Sequence, residues 1–155
     1  MKKYAFLTFS LMLMLMVVSI SARAQTGAVR EPDKLASLTD AALEADMKEN
    51  LEAARLYFKL RKAYRASVMR SEEIIAGYPS FSRMDEALYI AGMSHFYLSQ
   101  KKGKQPPTLT PEKHLAEAQK YLLQLADDFS DSEFFKKAED ELKPFGGFKA
   151  VSSKQ

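Results

Sequence analysis

AYRASVMRSEEIIAGYP, residues 63–79, decides the fold. Within it Tyr64, Ser67, Val68, Ser71, Ile74 and Ile75 recur at three- and four-residue steps, the period of a helix buried along one face. Gly77, Tyr78 and Pro79 end the pattern. Moved 51 positions along the chain, the stretch lies on a second helix of the same kind: Ser67 meets Ala118, Ser71 meets Leu122, Ile74 meets Leu125 and Tyr78 meets Phe129. The register continues past the exit, where Ser80 and Ser82 meet Asp131 and Glu133, and Ala87 meets Ala138. An internal repeat on this scale reads as stacked helix pairs, each burying a face that it cannot bury alone.

Outward from that core, every pattern between Thr39 and Lys143 is helical and none alternates as a strand does. A first helix is expected from about Asp40 to Leu60, capped by Thr39, with Leu43, Met47, Leu51, Ala54 and Phe58 on its buried face. Arg61-Lys62 breaks it, and the second runs from Ala63 to Ala76. Ser82 with Asp85 suggests a variant capping box for a third, Arg83 to Ser99. Lys101–Leu109 holds Gly103, Pro106 and Pro107 and reads as a loop. Thr110-Pro111 starts a fourth helix, because proline at the first helical position forfeits no hydrogen bond. It runs to Asp128. Ser130-x-x-Glu133 caps a fifth, ending at Pro144 with Gly146 and Gly147 behind it. Gly92, costly inside a helix, is explained by a close helix approach. The expected fold is all-α, a tetratricopeptide-like helical repeat of about two helix pairs and a closing helix over residues 39–144. Residues 25–38 form a flexible leader and 145–155 a tail.

The string Leu51-x-x-Ala54-Arg55-x-Tyr57-x-x-x-Arg61-Lys62-Ala63-Tyr64-x-Ala66 leads into Tyr78-Pro79-x-x-Ser82-x-x-Asp85-Glu86-Ala87-Leu88-Tyr89. Phe129-Ser130-Asp131-Ser132-Glu133 then echoes the "YPDSE" element that closes the next repeat. Together they resemble the BamD-type (YfiO-like) tetratricopeptide proteins of the outer-membrane β-barrel assembly machinery, over about residues 45–143. The resemblance implies a non-catalytic scaffold that binds an assembly partner or an unfolded client.

The flanks and the composition narrow the function classes. Met1–Ala24 reads as a secretory signal: Lys2 and Lys3, an apolar Ala5–Ile20, then Ala22-Arg23-Ala24, predicting cleavage before Gln25. That stretch of 16 residues, interrupted by Thr8, Ser10 and Ser19, falls short of the roughly 20 that span hydrocarbon. With no cysteine, acylation as a lipoprotein is excluded, and the expected destination is the bacterial periplasm, peripheral to the outer membrane at most. Of the net charge of +3, Lys2, Lys3 and Arg23 supply all of it; the remainder carries 20 basic and 20 acidic residues. A neutral domain is no nucleic-acid binder, which needs a basic face to displace counterions. No cysteine and two histidines leave thiolate, metal and triad chemistry thin. No catalytic residue, cofactor or metal site is expected, and the partners are proteins of the cell envelope. The rival is a periplasmic adaptor of envelope or division complexes. An enzyme or ligand-binding domain would need His95 to converge with buried carboxylates.

Individual residues sort accordingly. His95 reads as a packed core histidine and His114 as a surface residue. Glu72-Glu73 and Asp127-Asp128 read as solvated faces, since adjacent helical residues point apart. Lys101, Lys102 and Lys104 form a small basic loop. The third helix is apolar all round: Leu88, Ala91, Gly92, His95 and Leu98 make one face, and Tyr89, Ile90, Met93, Phe96 and Tyr97 the other. Such a helix is either sandwiched or awaits a partner. A partner groove would use Tyr89, Met93 and Phe96, with Glu52, Arg55 and Lys59 of the first helix beside them. Phe134, Phe135, Phe145 and Phe148 are expected to seal the last repeat.

Overall fold

A computed structural model describes residues 32–152. The export segment and Gln25–Glu31 lie outside the described residues. The chain divides into two compact units at Leu38–Thr39. Of the first, only residues 32–38 are described, and they are helical. The expected leader therefore shortens at its C-terminal end.

Among the described residues there are helices and no strands: α1 (Pro32–Arg55), a π-helical segment (Leu56–Arg61), α2 (Tyr64–Gly77), α3 (Met84–Ser99), α4 (Pro111–Asp128), α5 (Glu133–Leu142), a 3-10 turn (Lys143–Phe145) and α6 (Gly147–Ser152). The fold is all-α. The break expected at Arg61-Lys62 is a widened turn rather than a simple end, closed by Lys62 at φ 48°. Six residues in π geometry keep Phe58 buried while Leu56 and Leu60 stay exposed. The tail expected from residue 145 folds as well: α6 buries Val151, whose carbonyl accepts from the Gln119 side chain of α4.

Caps follow the sequence in one case and depart from it in three. Thr39, expected to cap the first helix, lies inside α1, which already begins at Pro32. Thr110 caps α4, accepting from the Lys113 amide at 3.4 Å, with Pro111 next in line. The capping box expected at Ser82 does not form, because the Ser82 hydroxyl and amide both go to the Glu44 carboxylate of α1. At α5 the cap is Ser132 rather than Ser130; its hydroxyl accepts from the Phe134 amide and donates to Asp85 at 2.6 Å.

α3 is the centre of the domain. Residues 86–96 are buried without exception, packed mainly between α2 and α4 with α5 at one end. Tyr64 at the start of α2 stacks on Tyr97 near the end of α3, ring centroids 4.9 Å apart, so the two helices run antiparallel. α1 docks on α2 closely enough for the Ser67 hydroxyl to reach the Ala54 carbonyl at 3.2 Å. Gly92 marks a close crossing: a β-carbon there would lie 2.7 Å from Leu122 Cγ. Close approach, expected from the sequence, is why glycine stands in mid-helix. Phe134 is buried, Phe135 and Phe148 meet edge to face, and Phe145 sits on Phe96 while remaining 40% exposed.

Candidate functional site

A pocket of about 480 Å³ opens between α2, α3, α4 and the Lys101–Leu109 loop. Val68, Met69, Leu98 and Leu109 give it apolar walls, and Arg65, Glu117 and Lys120 stand at its rim. At its floor four polar side chains from three helices converge: Glu72, His95, His114 and Tyr121. Each comes from a buried helical stripe. Glu72 follows Val68 by four residues on α2, and His114 precedes Ala118 by four on α4 with Tyr121 seven further along.

Their hydrogen bonds form one directed chain. The Leu109 amide donates to His114 Nε2 at 3.3 Å. His114 Nδ1 faces His95 Nδ1 at 2.9 Å, and His95 Nε2 lies 3.3 Å from Glu72 Oε1, which also accepts the Tyr121 hydroxyl at 2.9 Å. Because an N–H points at His114 Nε2, that nitrogen carries no proton, so a neutral His114 holds its hydrogen on Nδ1. His95 must then accept at Nδ1 and donate from Nε2 to the carboxylate. One tautomer pair satisfies every contact.

Electrostatics agree with that assignment. The His95 hydrogen bond, against the opposing effect of burial, holds the Glu72 carboxyl below the usual range. Burial first, and the neighbouring His95 second, lower the His114 imidazole from 6.5. Burial and the Glu72 carboxylate push the Tyr121 phenol well above its ordinary value. The relay is therefore ionised at Glu72 and neutral at His114 near pH 7. Among the described residues no group of three His, Asp or Glu is arranged to hold a metal.

This corrects two readings of the sequence. His114 is 1% exposed, not a surface residue, because it occupies the buried stripe of α4. Glu72 is not a solvated face but the half-buried acceptor of two donors. Glu73 does face solvent, paired with Arg70.

The expected groove divides in the same way. Tyr89, Met93 and Phe96 are between 0 and 2% exposed, so they offer a partner no surface. Their face of α3 is sandwiched: the Tyr89 ring packs on Phe58 and Phe134, and its hydroxyl, with that of Tyr97, donates to Glu141 of α5. Glu52 and Lys59 remain exposed. Arg55 turns inward, its Nε 2.6 Å from Glu86 Oε1, while Arg83 reaches the other oxygen of Glu86 at 2.7 Å. Burial alone would raise the Glu86 carboxyl, but Arg55 and Arg83 more than reverse that and it lies below the usual range. Glu52, Arg55 and Lys59 line a shallower depression of about 310 Å³ with Leu56 and Leu60. Leu60 is 77% exposed.

No family model, no curated protein and no solved structure matches this chain.

Proposed function

We infer that the chain is an exported, non-catalytic adaptor of tetratricopeptide-like construction that binds a protein of the cell envelope, as the BamD-type resemblance implies. The observation that carries this reading is the π segment. It holds Leu56 and Leu60 outward, one turn apart, in a depression rimmed by Glu52, Arg55 and Lys59. π-turns concentrate at functional sites. A leucine pair with charged neighbours suits an apolar anchor on a partner, with the rim selecting orientation. The anchoring residues thus lie on the first helix and its extension, not on α3.

The histidines of the larger pocket are committed to the protein itself. All four ring nitrogens of His95 and His114 are engaged by protein atoms.

The test is capture of the tagged, full chain from a crosslinked bacterial envelope, beside Leu60→Glu. An envelope protein held by the natural chain and lost with Leu60→Glu, at unchanged thermal stability, is the expected result. Equal capture by both chains removes the leucine pair from the interface, and absence of any envelope protein removes the adaptor reading.

One observation favours a second reading, a ligand-binding or catalytic helical domain. His95 does converge with a half-buried carboxylate at the floor of a pocket. Saturable binding of a small molecule, abolished by Glu72→Gln with envelope capture intact, would establish it.

A further inference from the structure

We propose that the His95–His114 pair is a one-proton latch that fastens the Lys101–Leu109 loop over the pocket and releases it on acidification. This goes beyond the adaptor reading and stands independently of it.

The directed chain of bonds has a single weak place. Between two neutral imidazoles only one hydrogen lies on the Nδ1–Nδ1 axis, and His114 supplies it. A proton entering the pair leaves three hydrogens for four ring nitrogens. One stays on His95 Nε2 facing Glu72, now beside a positive charge, so that contact strengthens. One stays on the Nδ1–Nδ1 axis, and the third has only His114 Nε2 left to occupy. That hydrogen then faces the Leu109 N–H across 3.3 Å, donor against donor. All other bonds of the chain survive. The cost of the proton therefore falls on the Leu109 amide. A second proton would set two Nδ1–H groups against each other at 2.9 Å and is resisted.

The loop is built so that this bond matters. Its first half is anchored independently of the histidines. The Lys104 amide donates to the Lys62 carbonyl at 3.1 Å, and Gln105 accepts from the Ala66 amide at 3.2 Å. Gly103, at φ 106°, lies so close to Tyr64 that a β-carbon would come within 2.8 Å of its ring. Beyond Pro106 and Pro107, among the described residues, the only hydrogen bond from Thr108–Leu109 to the body is the one to His114. Thr108 and Leu109 form that side of the pocket wall, so releasing them widens its mouth.

The charged and titratable groups around the pair come from each packed element: Arg65 and Glu72 from α2, and Glu117, Lys120 and Tyr121 from α4. Glu72 and Glu117 favour a proton on the imidazoles, and Lys120 and Arg65 oppose it. Glu72 is in direct contact with His95, so the proton has a defined counter-charge.

The experiment is nitrogen-15 NMR of the full 155-residue chain from pH 7.5 to 5, with amide hydrogen exchange of Leu109 followed alongside. At pH 7.5 the expected spectrum shows His114 protonated on Nδ1 and not on Nε2, and acidification places a hydrogen on Nε2. After correction for the intrinsic rate, Leu109 protection falls at least tenfold over the same range, while the Lys104 amide keeps its protection. His114→Gln, whose amide oxygen can accept from Leu109 without titrating, removes the pH dependence. His114 found protonated on Nε2 at pH 7.5 overturns the proposal without any variant. So does Leu109 protection that is flat with pH, or lost in step with Lys104.

Discussion

Gly92→Ala sets two effects of opposite sign against each other. Helix propensity alone favours alanine by about 1 kcal/mol at an interior position. Against it, the added β-carbon would lie 2.7 Å from Leu122 Cγ and 2.9 Å from Cδ2, where ordinary contact begins at 3.4 Å. The deficit is 0.7 Å. Leu122 cannot yield easily: it is 1% exposed, the clash falls on its branch point rather than a free tip, and its own backbone nitrogen is only 3.4 Å away. Overpacking of this kind costs about 1–3 kcal/mol. Overpacking wins, and the variant should lose about 1 kcal/mol in urea unfolding followed by circular dichroism. Leu122→Ala alone should lose about 2–5 kcal/mol through the cavity it leaves. The double variant should lose less than the sum by about 1 kcal/mol, since the new methyl then occupies vacated space. A Gly92→Ala chain more stable than the natural one, or strict additivity in the cycle, would refute the close crossing of α3 and α4.

Arg55→Ala strands the Glu86 carboxylate, 2% exposed, with Arg83 alone; a loss of about 3 kcal/mol is expected in the same assay, and Glu86→Gln in the same chain should restore part of it. Glu141→Ala leaves the Tyr89 and Tyr97 hydroxyls without their acceptor, costing about 1–3 kcal/mol. In the natural chain burial and Glu141 hold both phenols protonated beyond the usual tyrosine range, so ultraviolet titration should show them ionising only with alkaline unfolding. The lowered His114 imidazole means that the unfolded chain takes up that proton more readily. Its contribution is therefore complete above about pH 6.5 and is lost as the pH falls below it. Glu72, also lowered, adds a loss in the carboxylate range; melting temperatures measured from pH 8 to 4 should fall in those two stages, and His114→Gln should erase the first.

Much of the fold could be read because helical periodicity reports burial directly. The Tyr64–Ile75 stripe, the Thr110-Pro111 start and the mid-helix Gly92 each carry their own physical cause, and each stands where expected. The caps of α3 and α5 could not be read so well, since hydroxyls choose among partners set by tertiary contacts; Ser82 goes to Glu44, far away in sequence. α3 posed a choice that composition leaves open. Apolarity on every side fits both a sandwich and a docking face, and only the positions of α2, α4 and α5 decide it. The relay was half legible. His114 lies four residues before Ala118 on a buried stripe, a signal available in the sequence but outweighed by its place in the first turn. That Glu72 and Tyr121 would meet His95 depends on helix crossings, and no spacing along the chain encodes them.

The adaptor reading is tested most directly by placing a photocrosslinking amino acid at position 60 and, as a control on another exposed leucine, at position 123. Irradiation of cells exporting each chain should give a discrete adduct with an envelope protein from position 60, and none from position 123. An identical pattern from both positions, or no adduct from position 60 in a folded and exported chain, would contradict it.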